Sequence, residues 1–306
     1  MNSQTAVSQS EPSQADATPA TAEAPQNLYR PLTVLRSEVL SPEMRRLTLQ
    51  GEDLSPFDTL DNLHVRFYVP VDLSLPCEWP TADEEGRPQL TKTQGANNVT
   101  MRYYTIRRLD VARGEVDIDF VTHGHAGPAS NFARAAKPGD RCAMSGPCGF
   151  SVKPADWYLL AGDETALPAI ARLLDNLPAH CQGSVHIEVS RPGCEVVMPS
   201  HPGLPVQWHY RNSNLASSNR AADNHSVADS PSADHDAGVA YEDSGLSDLP
   251  QALASVRFPE QPDSGFIWVA GEYELLRRCQ AAALADRHWP KERLLGVPYW
   301  RRKADN

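Results

Sequence analysis

The sequence predicts a two-domain fold, in which an antiparallel Greek-key β-barrel is followed by an α/β unit with a parallel sheet. Short strand-like stretches between Ser-Pro, Gly and Pro breakers fill the first half of the chain, as in small antiparallel barrels. In the second half, continuous apolar runs end in glycine and lead into helical patterns, as in nucleotide-binding βαβ units. The 306 residues suffice for two cores of ~150 residues each, and a single barrel with long tails is the alternative.

The composition excludes several classes of protein. The net charge of -11 argues against nucleic-acid binding, which needs a concentrated basic surface. No stretch reaches the ~18 uninterrupted apolar residues of a membrane span, and the polar start of the chain does not predict a signal peptide. The six cysteines lack C-x-x-C spacing, so reduced thiols are favoured over a zinc site or an iron–sulfur cluster. We therefore expect a cytoplasmic monomer without nucleic acid as a partner.

Two segments are too polar to form a core. Residues 1–27 consist mainly of Ser, Gln, Ala, Thr, Pro and Glu, and residues 211–245 carry six acidic side chains with almost no large apolar ones. Both segments are predicted to be disordered, the second as an acidic insertion on a loop. The barrel is therefore predicted at 28–154, and the α/β unit with its insertion at 155–306.

The elements of the two units follow from the breakers and the hydrophobic periodicity. A long surface loop is predicted over residues 70–98, which are rich in Pro, Asp, Glu, Gly and Asn. The strands predicted for the barrel lie at 32–39, 44–49, 64–69, 99–107, 115–121 and 141–147. In the α/β unit, strands are predicted at 157–162, 184–189, 205–210, 266–272 and 294–302, and helices at 169–177, 248–256 and 274–288.

The stretch from Arg102 to Arg107 reads R-Y-Y-T-I-R and is the most informative strand of the barrel. An arginine guanidinium can clamp a pyrophosphate, and a tyrosine ring can lie against an aromatic heterocycle. The hydroxyl and backbone amide of Thr105 can hydrogen-bond the reactive edge of such a heterocycle. A large, flat, anionic ligand is therefore one interpretation, and an amphipathic strand with surface arginines and a core tyrosine is the other.

A second candidate for anion binding follows the strand at 115–121, whose alternation predicts one face in water. This strand leads into a glycine-containing turn at 123–130 and a short helix predicted at 131–136. Backbone amides at the start of such a helix favour phosphate binding, so a phosphate site is one interpretation. A plain Gly-Pro turn without a ligand is the other interpretation. His123 and His125 are also conceivable metal ligands, but no neighbouring cysteine or carboxylate cluster supports a metal site, and we predict none.

The first turn of the α/β unit carries only part of a dinucleotide fingerprint. Gly162 ends the apolar run and is followed directly by Asp163 and Glu164, so the full G-x-G-x-x-G pattern is absent. This departure leaves the choice between NADH and NADPH open.

Taken together, several stretches resemble the siderophore-interacting protein family, a flavin-dependent ferric-siderophore reductase branch of the ferredoxin reductase superfamily. The resemblance covers about 28–302 apart from the predicted loop and insertion. It depends on the R-x-Y-T-x-R strand and on the stretches at 119–124, 127–130, 161–170, 268–272 and 299–302.

The resemblance implies that FAD lies between the barrel and the α/β unit and that the protein reduces imported ferric siderophores in the cytoplasm. Arg102 would clamp the pyrophosphate, Tyr104 would stack on the isoalloxazine, and Thr105 would hydrogen-bond near its N5. The residues around the ribityl and phosphate portion would be Asp119, His123, Gly127, Ala129 and Ser130. The residues bordering the nicotinamide side would be Gly162, Asp163, Glu164 and Thr165. Tyr299 and Trp300 would lie near the other face of the flavin. Tyr103 and Val121 are the remaining candidates for binding the cofactor.

The expected chemistry belongs to the cofactor, so no catalytic side chain is predicted. Nicotinamide delivers two electrons and ferric iron accepts one, and a flavin can convert between the two. The electron donor implied is NADH, NADPH or ferredoxin. Lys291, Arg301 and Arg302 are candidates for contacting an anionic ferric siderophore, the alternative being ordinary solvated charges. A general flavin or ferredoxin-type electron-transfer reductase and a non-enzymatic siderophore-binding carrier are the competing functions.

Overall fold

The computed structural model describes residues 27–89, 98–122, 127–149, 152–211, 247–285 and 289–301. The N-terminal tail up to residue 26, the acidic insertion at 212–246, and the candidates His123 and Arg302 lie outside the described residues. The strands are β1 (Leu28–Ser41), β2 (Met44–Gln50), β3 (His64–Pro70), β4 (Thr81–Ala82), β5 (Pro88–Gln89), β6 (Val99–Asp110), β7 (Glu115–Val121), β8 (Arg141–Cys148), β9 (Trp157–Asp163), β10 (Gln182–Val189), β11 (Val206–Tyr210), β12 (Gly265–Glu272) and β13 (Leu294–Trp300). The helices are α1 (Pro128–Ala135), α2 (Leu167–Asn176), α3 (Leu249–Ala254) and α4 (Tyr273–Leu284).

The first unit is a closed antiparallel barrel with the strand order β1-β2-β7-β6-β3-β8. This order is not sequential, as Greek-key connections require. Apolar side chains from every strand fill the interior, and Phe132 and Ala133 of α1 belong to the same core. Helix α1 therefore covers one part of the barrel, and the predicted barrel is confirmed.

The second unit is a five-stranded sheet with the order β11-β10-β9-β12-β13, and all its described pairings are parallel. Helix α2 packs on one face with Ile170 among the buried residues, and α3 and α4 pack on the other with Leu249 and Leu276. Because both faces are covered, β9 and β12 are apolar almost throughout. The predicted α/β unit is confirmed.

The two units share part of one core. Met44 of the barrel and Leu63, just before β3, pack with the apolar residues under α2. Buried Arg172 of α2 also donates hydrogen bonds to the backbone oxygens of Thr59 and Ile106, at 2.8 and 3.1 Å. The barrel and the sheet are thus joined by both apolar packing and buried hydrogen bonds.

The structure corrects the environment predicted for β7. Its acidic residues Glu115, Asp117 and Asp119 were expected on a wet face, but all three are 6% exposed or less. Arginines of neighbouring elements cover that face and pair with it; among them, Arg108 Nε lies 2.8 Å from an Asp117 oxygen. Alternation therefore located the strand correctly and gave the wrong exposure, because ion pairing allowed the charged face to be buried.

The start of α1 and the segment 70–98 also differ from the prediction. Helix α1 begins at Pro128 rather than at residue 131, and proline is well suited to the first helical position because its missing N–H is not needed there. Within the predicted loop over 70–98, β4 and β5 form a small hairpin. Its turn is organised by Asp83, whose carboxylate accepts from the backbone N–H groups of Glu85 and Arg87 at 3.1 and 2.7 Å.

Among the helices described, none combines the length and the apolar character needed to cross a membrane.

Candidate flavin and dinucleotide site

The strand that carries the R-x-Y-T-x-R motif is β6, and its first two candidate residues are exposed. Arg102 donates from Nη1 to the Thr100 hydroxyl at 3.1 Å and to the Met101 carbonyl at 2.7 Å, and it forms no ion pair within the described ranges. Tyr103 is 61% exposed, and the Arg66 guanidinium lies 5.7 Å from its ring centroid. Arg102, a guanidinium without a carboxylate partner among the described residues, suits an anionic ligand, whereas Tyr103 lies on the other face of the strand with Arg66.

The next candidate, Tyr104, rests on the barrel core. Its ring centroid lies 4.5 Å from that of Phe120 and 5.7 Å from that of Phe67. Burial raises the pKa of its phenol, so the group is neutral. Tyr104 is only partly buried, which leaves part of the ring as a firm surface on which a flat ligand could stack.

The first turn of α1 carries the candidates Gly127, Ala129 and Ser130. The Ser130 hydroxyl oxygen is buried and has no hydrogen-bond partner among the described residues. A Cβ on Gly127 would meet nothing within 4 Å, so there is open space at the start of the helix. The first backbone amides of a helix have no intrahelical acceptor. A buried hydroxyl that has no partner among the described residues, beside the first amides of a helix and open space, fits the phosphate portion of FAD.

Arg102 and the first turn of α1 lie at the same end of the barrel. Strands β6 and β7 form an antiparallel hairpin, so Arg102, near the start of β6, and Thr122, just after the end of β7, both lie away from its turn. Arg134 of α1 donates a hydrogen bond to the Thr122 carbonyl. Val121, another candidate, is the half-buried last residue of β7 at this end. The two predicted anion-binding elements therefore lie at the same end of the barrel.

Asp119 is held inside the protein by a residue that the sequence did not single out. Arg46 donates from Nε to Oδ1 at 2.6 Å and from Nη2 to Oδ2 at 2.8 Å, which is a bidentate pair. The hydrogen bond that Arg46 donates to Asp119 raises the pKa of Arg46. Asp119 thus orients Arg46 between β2 and β7, and its carboxylate is committed to this pair.

At the other end of the motif, Thr105 lies next to a contact that joins the barrel to the sheet. Tyr299 of β13 has its hydroxyl 2.5 Å from Nε2 of His64, and His64 is the partner of Thr105 in the β3–β6 ladder. The sequence analysis placed His64 only as the first residue of a strand. It could not find this contact, because the contact depends on how β3, β6 and β13 are aligned in space.

The carboxyl end of the parallel sheet is organised by Asp163, which is completely buried. Its Oδ1 accepts from the backbone N–H of Thr165 at 2.9 Å and from the Thr165 hydroxyl. Its Oδ2 accepts from the Glu272 backbone N–H at 2.8 Å and from Nε1 of Trp300 at 3.0 Å. Burial and the neighbouring Glu164 raise the pKa of Asp163. The candidates Asp163, Thr165 and Trp300 are therefore one hydrogen-bonded group.

Glu164 is paired with Arg211, which the sequence analysis did not identify. Arg211 donates to the two Glu164 oxygens at 2.7 and 2.5 Å and lies 3.5 Å from Glu188. Ser247 donates a hydrogen bond to Glu188 from the other side of the insertion. Burial raises the pKa of Glu188 to about 7, and Glu164 and Asp163 add to the rise. This edge of the sheet is thus acidic and closely paired.

Gly162 serves close packing. A Cβ at this position would lie 2.2 Å from the Ala270 carbonyl oxygen and 2.5 Å from the Ala166 Cβ. The single glycine of the incomplete fingerprint therefore allows β9 to approach both β12 and the start of α2, which is one role of glycine in dinucleotide-binding units.

The basic side chains predicted to contact the ferric siderophore do not lie close together. The Arg301 guanidinium lies 3.9 Å from the Tyr273 ring centroid, at the end of β13 where Trp300 meets Asp163. Lys291 is exposed and precedes the other end of β13. A strand of seven residues spans ~23 Å, so Lys291 does not reach the acidic edge of the sheet.

The fold and this arrangement define a flavin-binding type of barrel joined to a nucleotide-binding type of sheet. Residues 33–151 match the family model of the siderophore-interacting FAD-binding domain, and residues 155–303 match that of the siderophore-interacting protein. The chain belongs to the siderophore-interacting protein family, as the resemblance in the sequence predicted.

Individual relatives align over most of the chain. Ferric vibriobactin reductase ViuB of Vibrio cholerae is 27% identical over 277 residues, which cover 89% of this chain and 89% of the relative. The NADPH-dependent ferric-chelate reductase of Escherichia coli is 28% identical over 283 residues, which cover 90% of this chain and 94% of the relative. The crystal structure of a siderophore utilization protein from T. fusca is 27% identical and superposes with a TM-score of 0.68, over 92% of this chain and 95% of that chain.

Proposed function

We propose that this protein is an FAD-dependent ferric-siderophore reductase that releases Fe(II) in the cytoplasm. Two relatives that align over about nine-tenths of the chain are named as ferric reductases, one acting on ferric vibriobactin and the other on a ferric chelate. The observation in the structure that supports the proposal most is that the two predicted anion-binding elements lie at the same end of the barrel. Arg102 is at this end, and so is the Ser130 hydroxyl, which has no hydrogen-bond partner among the described residues; the family model that matches the barrel is an FAD-binding domain.

The chain's own residues bind and orient the cofactor in this proposal. Arg102 and the amides at the start of α1 hold the pyrophosphate, and the Ser130 hydroxyl, which has no partner among the described residues, donates to it. Tyr104, supported by Phe120, provides a rigid surface for the ring system, and Thr105 hydrogen-bonds its redox-active edge. The bound flavin supplies the conversion between two-electron and one-electron transfer. Reduced iron binds hard oxygen ligands less tightly, so the siderophore releases it.

NADPH is the electron donor that the comparison with the E. coli relative favours. The nicotinamide would approach the sheet edge formed by Gly162, Asp163, Glu164 and Thr165, which is where nucleotides bind in parallel α/β sheets. Arg301, held on the Tyr273 ring at the same edge, offers a cation to an anionic ferric siderophore. NADH and ferredoxin are the alternative donors.

Anaerobic mixing of the purified protein tests this function. We expect NADPH to bleach the bound flavin and a ferric siderophore to restore its colour, with one Fe(II) formed per electron as measured with a ferrous chelator. Bleaching by reduced ferredoxin alone would favour the electron-transfer reductase. A protein that binds ferric siderophore and contains no flavin would be a carrier, and the proposal would be wrong.

A further inference from the structure

Arg172 of α2 is a buried guanidinium between the barrel and the sheet, and it is 5% exposed. It donates from Nη1 to the Ile106 carbonyl at 3.1 Å and from Nη2 to the Thr59 carbonyl at 2.8 Å. Both acceptors are uncharged backbone oxygens. Among the residues that the structure describes, no carboxylate forms an ion pair with Arg172. Buried ionised groups are usually paired, because removing a charge from water is costly, so this guanidinium is unusual.

The charge of Arg172 is not cancelled by its neighbours. Burial lowers the pKa of its guanidinium and Asp58 opposes that change, but an arginine stays protonated at neutral pH. Asp58 is exposed, so water screens its negative charge. Arg107, the other cation nearby, is paired with Asp175, with Nη1 2.7 Å from Oδ2. One positive charge therefore remains in a place from which water is largely excluded.

The guanidinium is hydrogen-bonded to the part of β6 that is expected to contact the flavin. Ile106, whose carbonyl accepts from Nη1, is the residue after Thr105. His64 is the partner of Thr105 in the β3–β6 ladder, and its Nε2 is 2.5 Å from the Tyr299 hydroxyl. Burial lowers the pKa of His64 to about 4, and Arg172 contributes to that shift. The positive charge therefore acts on the side chains around Thr105.

We propose that Arg172 supplies a fixed positive charge that stabilises the reduced form of the bound FAD. The inference rests on the proposed function, which places Thr105 at the redox-active edge of the flavin. The oxidised ring is uncharged, and it gains two electrons on reduction. If one proton follows them, the reduced ring carries one negative charge, and if two protons follow, it is neutral. A buried cation favours the charged product, because Coulombic attraction is strong where water is excluded.

Docking of α2 against the barrel is the alternative role of Arg172, and two substitutions separate the roles. Arg172→Gln removes the charge and keeps an amide that can donate to a backbone carbonyl. Arg172→Lys keeps the charge and loses the planar fork that reaches both carbonyls. A docking role predicts that both variants change the protein alike. The electrostatic role predicts that only Arg172→Gln changes the reduction potential of the bound FAD.

The test measures the reduction potential of the FAD-loaded protein at pH 7. For Arg172→Gln we expect reduced FAD to bind about tenfold more weakly relative to oxidised FAD, which lowers the two-electron potential by about 30 mV. Arg172→Lys should keep the wild-type potential. Arg293→Gln is the matched control, because Arg293 also donates to a backbone carbonyl, that of Pro154 at 2.9 Å, and precedes the end of β13 opposite Tyr299. Equal potentials in Arg172→Gln and wild type would overturn the inference.

The wild-type protein provides a second measurement, which does not depend on the folding of a variant. When one proton accompanies two electrons, a tenfold change in proton concentration shifts the potential by about 30 mV, and when two protons accompany them, by about 60 mV. We expect the smaller slope between pH 6 and pH 8, because the cation keeps the reduced ring negatively charged. The larger slope throughout this range would overturn the inference while the proposed function stands. A wild-type protein unable to bind FAD would overturn both.

Discussion

At the scale of single residues, we expect the binding of FAD to depend most on the side chain of Arg102. Its described hydrogen bonds go to the Thr100 hydroxyl and the Met101 carbonyl, which leaves guanidinium donors for a pyrophosphate. We expect Arg102→Ala to weaken FAD binding by about 2–5 kcal/mol, the worth of one or two charge-assisted hydrogen bonds. Titration of the apoprotein with FAD measures this loss.

The control for that substitution is Arg113→Ala. Arg113 is also an exposed arginine, and it lies in the turn between β6 and β7, at the opposite end of the barrel. Its removal should leave FAD affinity unchanged. If both variants bind FAD as the wild type does, Arg102 is an ordinary surface arginine of an amphipathic strand.

Glu188 gives a prediction about pH. The folded pKa of about 7 exceeds the ordinary value of 4.5, so the folded protein keeps a proton that the unfolded chain has lost between these values. Rising pH therefore lowers the free energy of unfolding through this window, and the loss is complete above pH 7. Glu188→Gln should reduce the loss of stability between pH 5 and pH 8 by at most about 3 kcal/mol, as measured by urea unfolding.

A surface variant makes the comparison for Glu188 specific. Glu292 is exposed, and Glu292→Gln should retain the full wild-type loss of stability between the two pH values. If Glu188→Gln loses as much stability between pH 5 and pH 8 as the wild type does, the Glu188 carboxyl is not responsible for that loss.

Sequence reasoning at this scale found residues within motifs and missed their partners. Arg102, Thr105 and Asp163 stand in recognisable local patterns, and their roles as cofactor contacts stay predictions. His64 and Arg211 could not be found in this way, since each meets its partner across more than 40 positions of the chain. No local spacing encodes such contacts; strand alignment creates them.

At the scale of elements, the approach of β9 to its neighbours depends on Gly162. A Cβ there would be 2.2 Å from a backbone oxygen of β12, which cannot move aside as a flexible side chain could. We expect Gly162→Ala to lower the free energy of unfolding by ~1–3 kcal/mol. Gly127→Ala, where a Cβ would meet nothing within 4 Å, should cost less than ~1 kcal/mol. Equal stabilities in thermal unfolding would contradict the packing argument.

The sequence predicted most strands and helices because their periodicities are strong. Strand β7 was predicted with its observed ends, yet its acidic side chains are buried by arginines such as Arg46 and Arg108. Alternation reports which residues share a face and cannot report what covers that face. The start of α1 was missed by three residues, because Pro128 was assigned to the preceding turn.

At the scale of the whole molecule, the net charge of -11 repels an anionic ferric siderophore, so a local cation should matter. Arg301 lies at the acidic edge of the sheet on the Tyr273 ring. Reversing the charges of Arg301 and Arg302 should raise the KM for an anionic ferric chelate by roughly tenfold and hardly change that for a neutral one. Added salt should reduce the difference.

Lys291→Glu is the control for this substitution. Lys291, like Arg301, carries one positive charge and is exposed, but it lies just before the other end of β13. It should leave both KM values unchanged. If reversing Arg301 and Arg302 affects both chelates equally, these cations do not steer the substrate.

The order of the two units was predictable, since alternating strands and apolar runs with glycine occupy different halves of the chain. The boundary at residue 154 stays a prediction. The shared core was not predictable, because Met44 and Leu63 belong to barrel segments and pack under α2. The tail and the acidic insertion lie outside the described residues.

The absorption spectrum of the purified wild-type protein tests the central claim most directly. If Arg102, Ser130 and Tyr104 hold FAD at one end of the barrel, the protein should be yellow, with flavin bands in the near-ultraviolet and the blue. Denaturation should then release about one FAD per chain. A colourless protein that also fails to bind added FAD would contradict the account.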